Sequence, residues 1–263
     1  MTDSPRSNGL RETMADGVAF GVLDNTYSPA LVELYGEMGF DFVWFDLEHG
    51  GPSPWDATAL EDALRAAELT DTELLVRLPS ADPAMVRKVL DAGVRNLFVS
   101  RVWSAEEVRT VVEAARFEYA GEPGERGLGS PRASRWGLAG DDYVPVEDEE
   151  ILVGVTVETE AAVDAIDEIL AVPELGFVFV GPFDLSVALG HPGEVDHEAV
   201  QAAVETVRDD ALDADVSLGG LGFGDDDVRS KVEQGYSMLN VGSTVGAIRG
   251  TFPEKLEAYR DAV

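Results

Sequence analysis

Residues 151–171 read ILVGVTVETEAAVDAIDEILA, an apolar and β-branched run that passes directly into a helical pattern. The run 152–157 contains no charged residue, which is typical of a strand buried on both faces of a parallel sheet. Residues 161–171 then place apolar side chains at helical spacing. A strand that leads straight into a helix is the repeating unit of α/β folds, so this stretch predicts one βα unit.

The same pattern occurs eight times along the chain. The predicted strands are residues 18–23, 40–45, 73–77, 96–100, 152–157, 177–180, 216–220 and 238–241. The predicted helices are residues 29–38, 54–69, 83–91, 105–115, 161–171, 197–214, 225–234 and one within 244–262. Eight such units in 263 residues predict a single-domain (β/α)8 TIM barrel over 1–263, with 1–17 as a polar N-terminal extension. Residues 116–150 interrupt the rhythm, and we expect them to be functional or to contain short helices of their own.

Composition excludes several classes of protein. The chain has 51 Asp and Glu against 19 Lys and Arg, a formal charge of −32, and no cysteine. So acidic a surface cannot neutralise phosphates, which excludes nucleic acid as a partner, and the absence of cysteine excludes disulfides and thiolate metal sites. No apolar stretch approaches the ~20 residues of a membrane span. Residues 1–17 lack the apolar core of a secretory signal, so we expect a cytoplasmic protein without a membrane partner.

The balance of cations adds one further expectation. Only Lys88, Lys231 and Lys255 among the 19 cations are lysine, and the acidic residues are spread along the whole chain. Such a surface is typical of halophilic cytosolic proteins, because high salt screens the self-repulsion while the charge preserves solubility.

All three lysines fall in helical patterns rather than on strands, so catalysis through a lysine imine is not expected.

In a barrel of this kind the chemistry lies on the loops that follow the strands. Glu158 follows the fifth predicted strand and Asp184 follows the sixth, so both carboxylates emerge at the same end of neighbouring strands. Such a pair can chelate a hard divalent cation, Mg²⁺ or Mn²⁺. Each acid taken alone is equally typical of a helix N-cap or first turn.

Other polar residues also follow predicted strands. Asp46 and Glu48 either add ligands or orient His49, since imidazole changes protonation state near neutral pH and suits a general base; a surface histidine beside Gly50 is the alternative. Arg77 ends a buried strand and needs an anion. That anion is a substrate carboxylate or enolate, or a structural partner, Asp46 or Asp91.

Three further segments contain glycine or histidine. The turn Gly181-Pro182-Phe183-Asp184 leads into a helix whose free N–H groups suit a substrate carboxylate. Residues 219–224 are glycine-rich, but they lack the lysine of a phosphate loop and precede three aspartates, so a flexible turn is predicted. His191 and His197 are expected to be structural.

Six short motifs occur in a fixed order: FVWFDLEHG (42–50), VRLP (76–79), VLDAG (89–93), ERGLG (125–129), VET (157–159) and GPFDLS (181–186). With these motifs the chain resembles the HpcH/HpaI aldolase family over roughly residues 21–242. The resemblance implies a (β/α)8 barrel of the phosphoenolpyruvate/pyruvate type and a divalent cation, Mg²⁺, Mn²⁺ or Co²⁺.

The resemblance also implies roles for individual residues. Glu158 and Asp184 would bind the metal, and His49 with Asp91 would form an acid–base dyad. Arg77 would stabilise the enolate, and the turn 181–184 would hold the pyruvate carboxylate through the amides of its last two residues. Asp46 and Glu48 would support the site. A hexamer is implied, with the C-terminal helix, about 244–263, packing on a neighbouring subunit.

This sequence departs from the family pattern around the acceptor side of the site. The family commonly has Gln where Thr156 stands, and a small residue where Phe183 stands. Its usual Val-Gly-x-Asp motif after the last strand ends here in Thr244. These departures leave the aldehyde partner open.

The expected activity is reversible aldol cleavage of a 4-hydroxy-2-oxo acid to pyruvate and an aldehyde. One alternative is a carbon–carbon lyase acting on a CoA ester, as citrate-lyase β-type and malyl-CoA lyases do, although few cations are available to bind the CoA phosphates. Another is a non-catalytic barrel that binds a 2-oxo acid. Turnover separates the last alternative from the others.

Overall fold

Eight parallel strands close into a barrel, which confirms the predicted (β/α)8 fold. The structure, a computed structural model, describes residues 7–262. The barrel strands are β1 (Ala19–Leu23), β2 (Phe42–Asp46), β3 (Glu73–Leu78), β4 (Asn96–Val99), β7 (Leu152–Val157), β8 (Phe177–Val180), β9 (Ser217–Leu221) and β10 (Met238–Ser243). Between β4 and β7, β5 (Glu118–Tyr119) and β6 (Glu122–Pro123) form a small antiparallel hairpin.

Helices surround the barrel and connect successive strands. They are α1 (Gly9–Asp16), α2 (Pro29–Glu37), α3 (Ala57–Ala67), α4 (Pro83–Asp91), α5 (Ala105–Ala115), α6 (Tyr143–Glu150), α7 (Glu160–Asp164), α8 (Ile166–Leu170), α9 (Pro182–Ala188), α10 (Glu198–Asp213), α11 (Asp225–Glu233) and α12 (Thr244–Asp261). A large apolar cluster joins α2, α3, α4, α5, α7, α8 and α10 to the outer faces of the strands, and a second cluster fills the barrel interior. None of the helices within 7–262 is both long enough and apolar enough to cross a lipid bilayer.

The start of the chain differs from the predicted polar extension. Residues 9–16 form α1, and Leu10 and Met14 pack inside the barrel with the interior side chains of the strands. Two apolar residues four positions apart share one face of a helix. The prediction of a polar extension counted the polar residues of 1–17 and did not consider this spacing. Asn8 fixes this helix, because its Nδ2 donates to the Oδ1 of Asn96 at the start of β4 (2.6 Å). Helix α1 therefore closes the end of the barrel where the strands begin; residues 1–6 lie outside the described part.

Two further predictions need correction. The helix predicted over 161–171 is two short helices, α7 and α8, that meet at Ala165. The turn predicted over 219–224 begins later, because Gly219 and Gly220 lie inside β9. A Cβ at Gly219 would lie 2.7 Å from the Phe179 ring, and one at Gly220 would lie 2.7 Å from the Tyr236 ring, so glycine is needed there for packing.

Residues 116–150 contain short helices of their own, which confirms one of the two expectations for this segment. The hairpin, a 3-10 turn (Arg135–Gly137) and α6 lie in this segment, and Arg95 joins α6 to the barrel through an ion pair with Glu147. The Nη1 of Arg116 donates to the carbonyl oxygens of Asp148 (2.7 Å) and Ile151 (3.1 Å). Arg126 pairs with the buried Glu147 (3.2 Å). The segment thus packs near the start of β7, away from the strand ends that carry the predicted site.

Helix α12 extends from the last strand with an uncovered apolar face. Its exposed apolar side chains recur at spacings of three or four residues and so lie on one side of the helix; they are Val245, Ile248, Phe252, Leu256 and Tyr259. Within residues 7–262, nothing covers that face.

Glycine at position 154 is expected to be required for barrel closure. A Cβ there would overlap the ring of Phe177 on the adjacent strand, so Gly154→Ala forces a buried aromatic side chain to move. Overpacking of this kind costs about 1–3 kcal/mol of unfolding free energy. Urea denaturation at constant KCl concentration measures the loss.

The matched control is Gly127→Ala, since a Cβ at exposed Gly127 meets open space. It should change the unfolding free energy by no more than about 0.5 kcal/mol. Equal stability of the Gly154 and Gly127 variants would contradict the packing described for β7 and β8.

Candidate active site

The predicted site residues gather where the barrel strands end. A cavity of about 760 Å³ opens there, and its walls include His49, Arg77, Glu158 and Asp184. Asp46 is the last residue of β2, and it lies beside Arg77 of β3 in the strand register. Glu158 directly follows β7, while Asp184 lies in the first turn of α9, after β8. Closure of the barrel therefore brings together residues that are far apart in sequence.

Arg77 is held by a two-pronged ion pair with Asp46. Its Nε donates to Oδ1 (2.8 Å) and its Nη2 donates to Oδ2 (2.7 Å). Burial alone would raise the pKa of Asp46, but the hydrogen bonds and charge of Arg77 hold that pKa below its ordinary value. The guanidinium also lies 4.9 Å above the ring of Trp44. A structural pair with Asp46 and a contact with a substrate anion are therefore compatible roles for Arg77. Asp46 fixes the side chain, while Nη1 is directed toward Glu48.

Three other carboxylates at this end are poorly neutralised. Glu158 is only 2% exposed, and its Oε1 accepts from the backbone N–H of Arg101 (2.7 Å). Burial, followed by repulsion from Glu48 and Asp184, raises the pKa of Glu158 to about 7. The Oε2 of Glu48 lies 3.2 Å from the Nη1 of Arg77 yet has no properly oriented hydrogen-bond donor within residues 7–262.

Asp184 completes this group, and its carboxylate has only two distant cationic neighbours within residues 7–262. Its Oδ1 is 3.9 Å from the Nη1 of Arg101, and its Oδ2 is 4.0 Å from the Nε2 of His49. By contrast, the buried Asp24 after β1 accepts hydrogen bonds from Thr26, Ser28 and Thr244 and needs no further cation.

Glu158 and Asp184 line one cavity, and Glu48 adds to the negative charge that acts on Glu158. This donor set of carboxylate oxygens fits a hard divalent cation, with Glu158 and Asp184 as the residues that would hold it.

His49 faces these carboxylates although its side chain is largely exposed. Its Nε2 lies 3.6 Å from the Oε2 of Glu48, in addition to the contact with Asp184. The loop that carries it is fixed by Tyr27, whose hydroxyl donates to the carbonyl oxygen of Asp46 (3.0 Å). His49 is therefore placed to exchange a proton with a molecule in the cavity.

Asp91 is not brought to His49 within one chain. It is the last residue of α4, and a helix that follows a barrel strand ends near the start of the next strand, at the opposite end from the cavity. Burial raises the pKa of Asp91, opposed by the charges of Arg126, Lys88 and Arg87. The contacts of His49 within residues 7–262 are with Glu48 and Asp184, and the dyad with Asp91 stays a prediction.

The turn at Gly181 is shaped by its neighbours. A Cβ at Gly181 would lie 2.7 Å from the Oε2 of Glu158 and 2.9 Å from the Cγ2 of Thr156, so only glycine fits there. Pro182 then begins α9, and Phe183 contacts Phe223 edge to face, with ring centroids 5.9 Å apart. The two half-exposed rings form an apolar side of the cavity mouth.

Sequence reasoning missed several contributors to the site. Glu48 was given only a supporting role, although it adds to the negative charge beside Glu158. Arg101 escaped notice, yet it has a left-handed backbone (φ +55°) that directs its N–H at Glu158. A charged residue directly after a buried strand was the signal that identified Arg77, and the same signal was available for Arg101.

A second group of possible metal ligands lies on the loop after α9. His191, Glu194 and His197 place ligand atoms within 4.8 Å of one another. The two imidazole rings are stacked with centroids 3.3 Å apart, and the Nδ1 of His197 accepts from the N–H of Ala199 (3.2 Å), which caps α10. This capping role agrees with the structural role expected for His197, and the group is distinct from Glu158 and Asp184.

Removing the buried charge of Glu158 should stabilise the metal-free protein. Its folded pKa, about 7, lies above the ordinary 4.5, so the folded protein holds the extra proton and loses stability as pH rises between these values. We expect Glu158→Gln to gain about 2 kcal/mol at pH 8 and almost nothing near pH 5. Urea unfolding in chelator at fixed salt concentration tests this.

Glu160→Gln is the matched control, because Glu160 is exposed two residues further along. It removes the same charge from the surface and should leave the unfolding free energy almost unchanged at both pH values. A Glu158→Gln protein less stable than wild type at pH 8 would show that the carboxylate is well compensated.

Comparison with known proteins agrees with the resemblance seen in the sequence. The family model for HpcH/HpaI aldolase/citrate lyase matches residues 20–250. A hydroxypyruvate/pyruvate aldolase of Paraburkholderia phytofirmans is 34% identical over 218 residues, which is 82% of this chain and 82% of that protein. A 5-keto-4-deoxy-D-glucarate aldolase of Salmonella paratyphi C is 31% identical over 94% of each chain.

A solved structure of the same family has the same fold. An HpcH/HpaI aldolase/citrate lyase family protein from Burkholderia cenocepacia superposes with a TM-score of 0.89 at 29% identity, over 97% of this chain and 100% of that one. The closed barrel, the match over most of its length and the named aldolases among its relatives together confirm the predicted family. The chain is a carbon–carbon lyase that belongs to the HpcH/HpaI aldolase/citrate lyase family.

Proposed function

We propose that this protein catalyses divalent-metal-dependent, reversible aldol cleavage of a 4-hydroxy-2-oxo acid to an aldehyde and a small 2-oxo acid, pyruvate or a 3-substituted pyruvate. The observation that carries the proposal is the group of undercompensated carboxylates beside a fixed guanidinium at the cavity wall. Relatives named as aldolases for pyruvate, hydroxypyruvate and a keto-deoxy sugar acid support the substrate class. Mg²⁺, Mn²⁺ and Co²⁺ are the candidate metals.

Glu158 and Asp184 would hold the cation. When bound, it supplies Lewis acidity that withdraws electrons from the carbonyl group of the 2-oxo acid. The first-turn amides of α9, at Phe183 and Asp184, have no helical acceptor and suit the substrate carboxylate. Asp46 accepts hydrogen bonds from two nitrogens of Arg77 and so holds the side chain in place. The positive charge of Arg77 would stabilise the negative charge that develops on the enolate oxygen.

His49 would move the proton. In the cleavage direction it accepts the proton of the C4 hydroxyl, the C3–C4 bond breaks, and its electron pair passes to C3 to give the enolate and an aldehyde. A proton then returns to C3, which yields the free 2-oxo acid. Glu48 lies 3.6 Å from the Nε2 of His49 and is placed to stabilise the protonated ring within the same chain.

We further propose that the protein is a homo-oligomer. The exposed apolar face of α12 suits burial on a neighbouring copy, and the hexamer implied by the family resemblance would provide one. Asp91 could then assist His49 only from a different subunit, because the two residues lie at opposite ends of one barrel. Aldehyde identity, by contrast, depends on the apolar mouth formed by Phe183 and Phe223.

Enolate formation can be tested without knowing the aldehyde. Proton NMR of pyruvate in D₂O at molar KCl with Mg²⁺ should show loss of the methyl signal faster than without enzyme, and chelator should stop it. Glu158→Ala and Asp184→Ala should abolish metal-dependent exchange. His49→Ala should slow aldol turnover by about 10²- to 10⁴-fold while metal binding is retained.

Glu160→Gln again serves as the control and should exchange at the wild-type rate. Full activity in the Glu158→Ala protein would overturn the metal assignment. If the folded wild type exchanges no pyruvate with Mg²⁺, Mn²⁺ or Co²⁺, the proposed reaction is wrong, and a lyase acting on a CoA ester or a non-catalytic binding protein is favoured instead.

A further inference from the structure

The active-site cavity has a charged half and an uncharged half. The ionisable residues of its wall lie on or directly after β2, β3, β7 and β8; they are His49, Arg77, Glu158 and Asp184. The other half is built by the ends of β9, β10 and β1 and by the start of α12, and none of its described residues carries a charge. Because β9, β10 and β1 are neighbours in the closed barrel, these residues form one continuous wall. We call it the uncharged wall.

Two aromatic rings stand at the entrance to the uncharged wall. Phe223 follows β9, and its ring is met edge to face by that of Phe183 from α9. The two residues are 54% and 49% exposed, so both rings are open to a molecule in the mouth. The other apolar residues of the wall are Leu23, Leu221, Val241 and Ala247. Exposed aromatic and aliphatic side chains beside a cavity are a surface on which the apolar part of a ligand can lie.

The polar residues of the uncharged wall offer little to a charged ligand. The hydroxyl of Ser243 accepts from the N–H of Gly246 (3.0 Å) and caps α12. Asn240 is paired in register with Leu221, the last residue of β9, so it lies deeper in the barrel than Phe223 two residues further on. A ligand group at the mouth therefore meets the two rings first.

Cations near the cavity are already paired with carboxylates. Arg77 and Arg101 both face acids of the charged half. The Nζ of Lys231 lies 5.5 Å from the centre of the Phe223 ring, but it donates to both carboxylate oxygens of Asp227 (2.6 and 2.7 Å) and lines a separate cavity. Within residues 7–262, no cation on the uncharged wall is placed to receive an anionic group.

We propose that the uncharged wall binds a hydrocarbon substituent of the aldehyde, so that the protein prefers aldehydes with an apolar chain to aldehydes that carry a carboxylate. This inference rests on the proposed function and names its aldehyde class. The 2-oxo acid occupies the charged half, so the aldehyde approaches from the mouth and its substituent lies against Phe183 and Phe223. A carboxylate there would lose water without gaining a cation, in a chain that already carries a formal charge of −32.

The test compares two aldehydes of the same shape in the direction of aldol addition. In 4-methylpentanal two methyl groups stand where succinic semialdehyde has two carboxylate oxygens. Each is mixed with pyruvate and Mg²⁺ at molar KCl, the adduct is measured by chromatography, and rates are referred to the unhydrated aldehyde. Wild type should favour 4-methylpentanal in kcat/KM by about tenfold or more, because only its branched end gains contact with the rings.

Phe223 is the residue to change, because it is half exposed and bonds to Asp227 through its backbone N–H (2.8 Å) rather than its ring. Phe223→Ala should lower the ratio of the two kcat/KM values about tenfold, while Phe223→Leu should keep most of the preference. The ratio cancels any effect on the donor half of the site, which both aldehydes share. The matched control is Leu69→Ala. Leu69 is a similarly exposed apolar residue before β3, at the other end of the barrel, so both rates should stay unchanged.

The outcomes separate this inference from the proposed function. A wild-type ratio near one, a preference for succinic semialdehyde, or no addition to 4-methylpentanal would overturn the inference if pyruvate exchange is intact. A wild-type preference that Phe223→Ala leaves unchanged would also overturn it, since the rings would not be its source. Failure of wild type to exchange the methyl protons of pyruvate would instead contradict the proposed function itself.

Discussion

Closure of a parallel barrel is the constraint on which this molecule depends. Every strand must end at the same rim, so charged residues that follow buried strands are forced into one small volume. Asp46 and Arg77 neutralise each other there. The remaining acids do not, and burial beside Glu48 and Asp184 gives Glu158 its raised pKa. The fold thus places mutually repelling carboxylates where a bound cation would relieve their repulsion.

Much of this arrangement could be predicted because each strand carries its own signal. A buried strand such as β7 is a run of apolar residues, and the first charge after it marks its end, so Glu158 was visible in the sequence. The pairing of Asp46 with Arg77 was foreseen as one alternative among several. Which alternative held depended on strand register, and register is set by barrel closure rather than by local residues.

The remaining features could not be predicted for equally physical reasons. The left-handed backbone of Arg101 is set by tertiary contacts, and the sequence around it contains no glycine to mark it. The separation of Asp91 from His49 follows from the direction in which α4 runs back along the barrel, which a list of motifs does not express. Leu10 and Met14 belong to a polar segment and gain their apolar role only once a barrel floor exists for them to cover.

Helix α1, which closes one end of the barrel, also affects the order in which substrates bind and products leave. Leu10 and Met14 pack among the interior side chains, and within residues 7–262 the active-site cavity opens at the rim where the strands end. In a cavity with one opening, the substrate that enters last would give the product that leaves first. The fragment nearer the mouth departs first, and the fragment held against the deeper charges waits behind it. An ordered kinetic scheme would then follow from the way in which α1 closes the other end of the barrel.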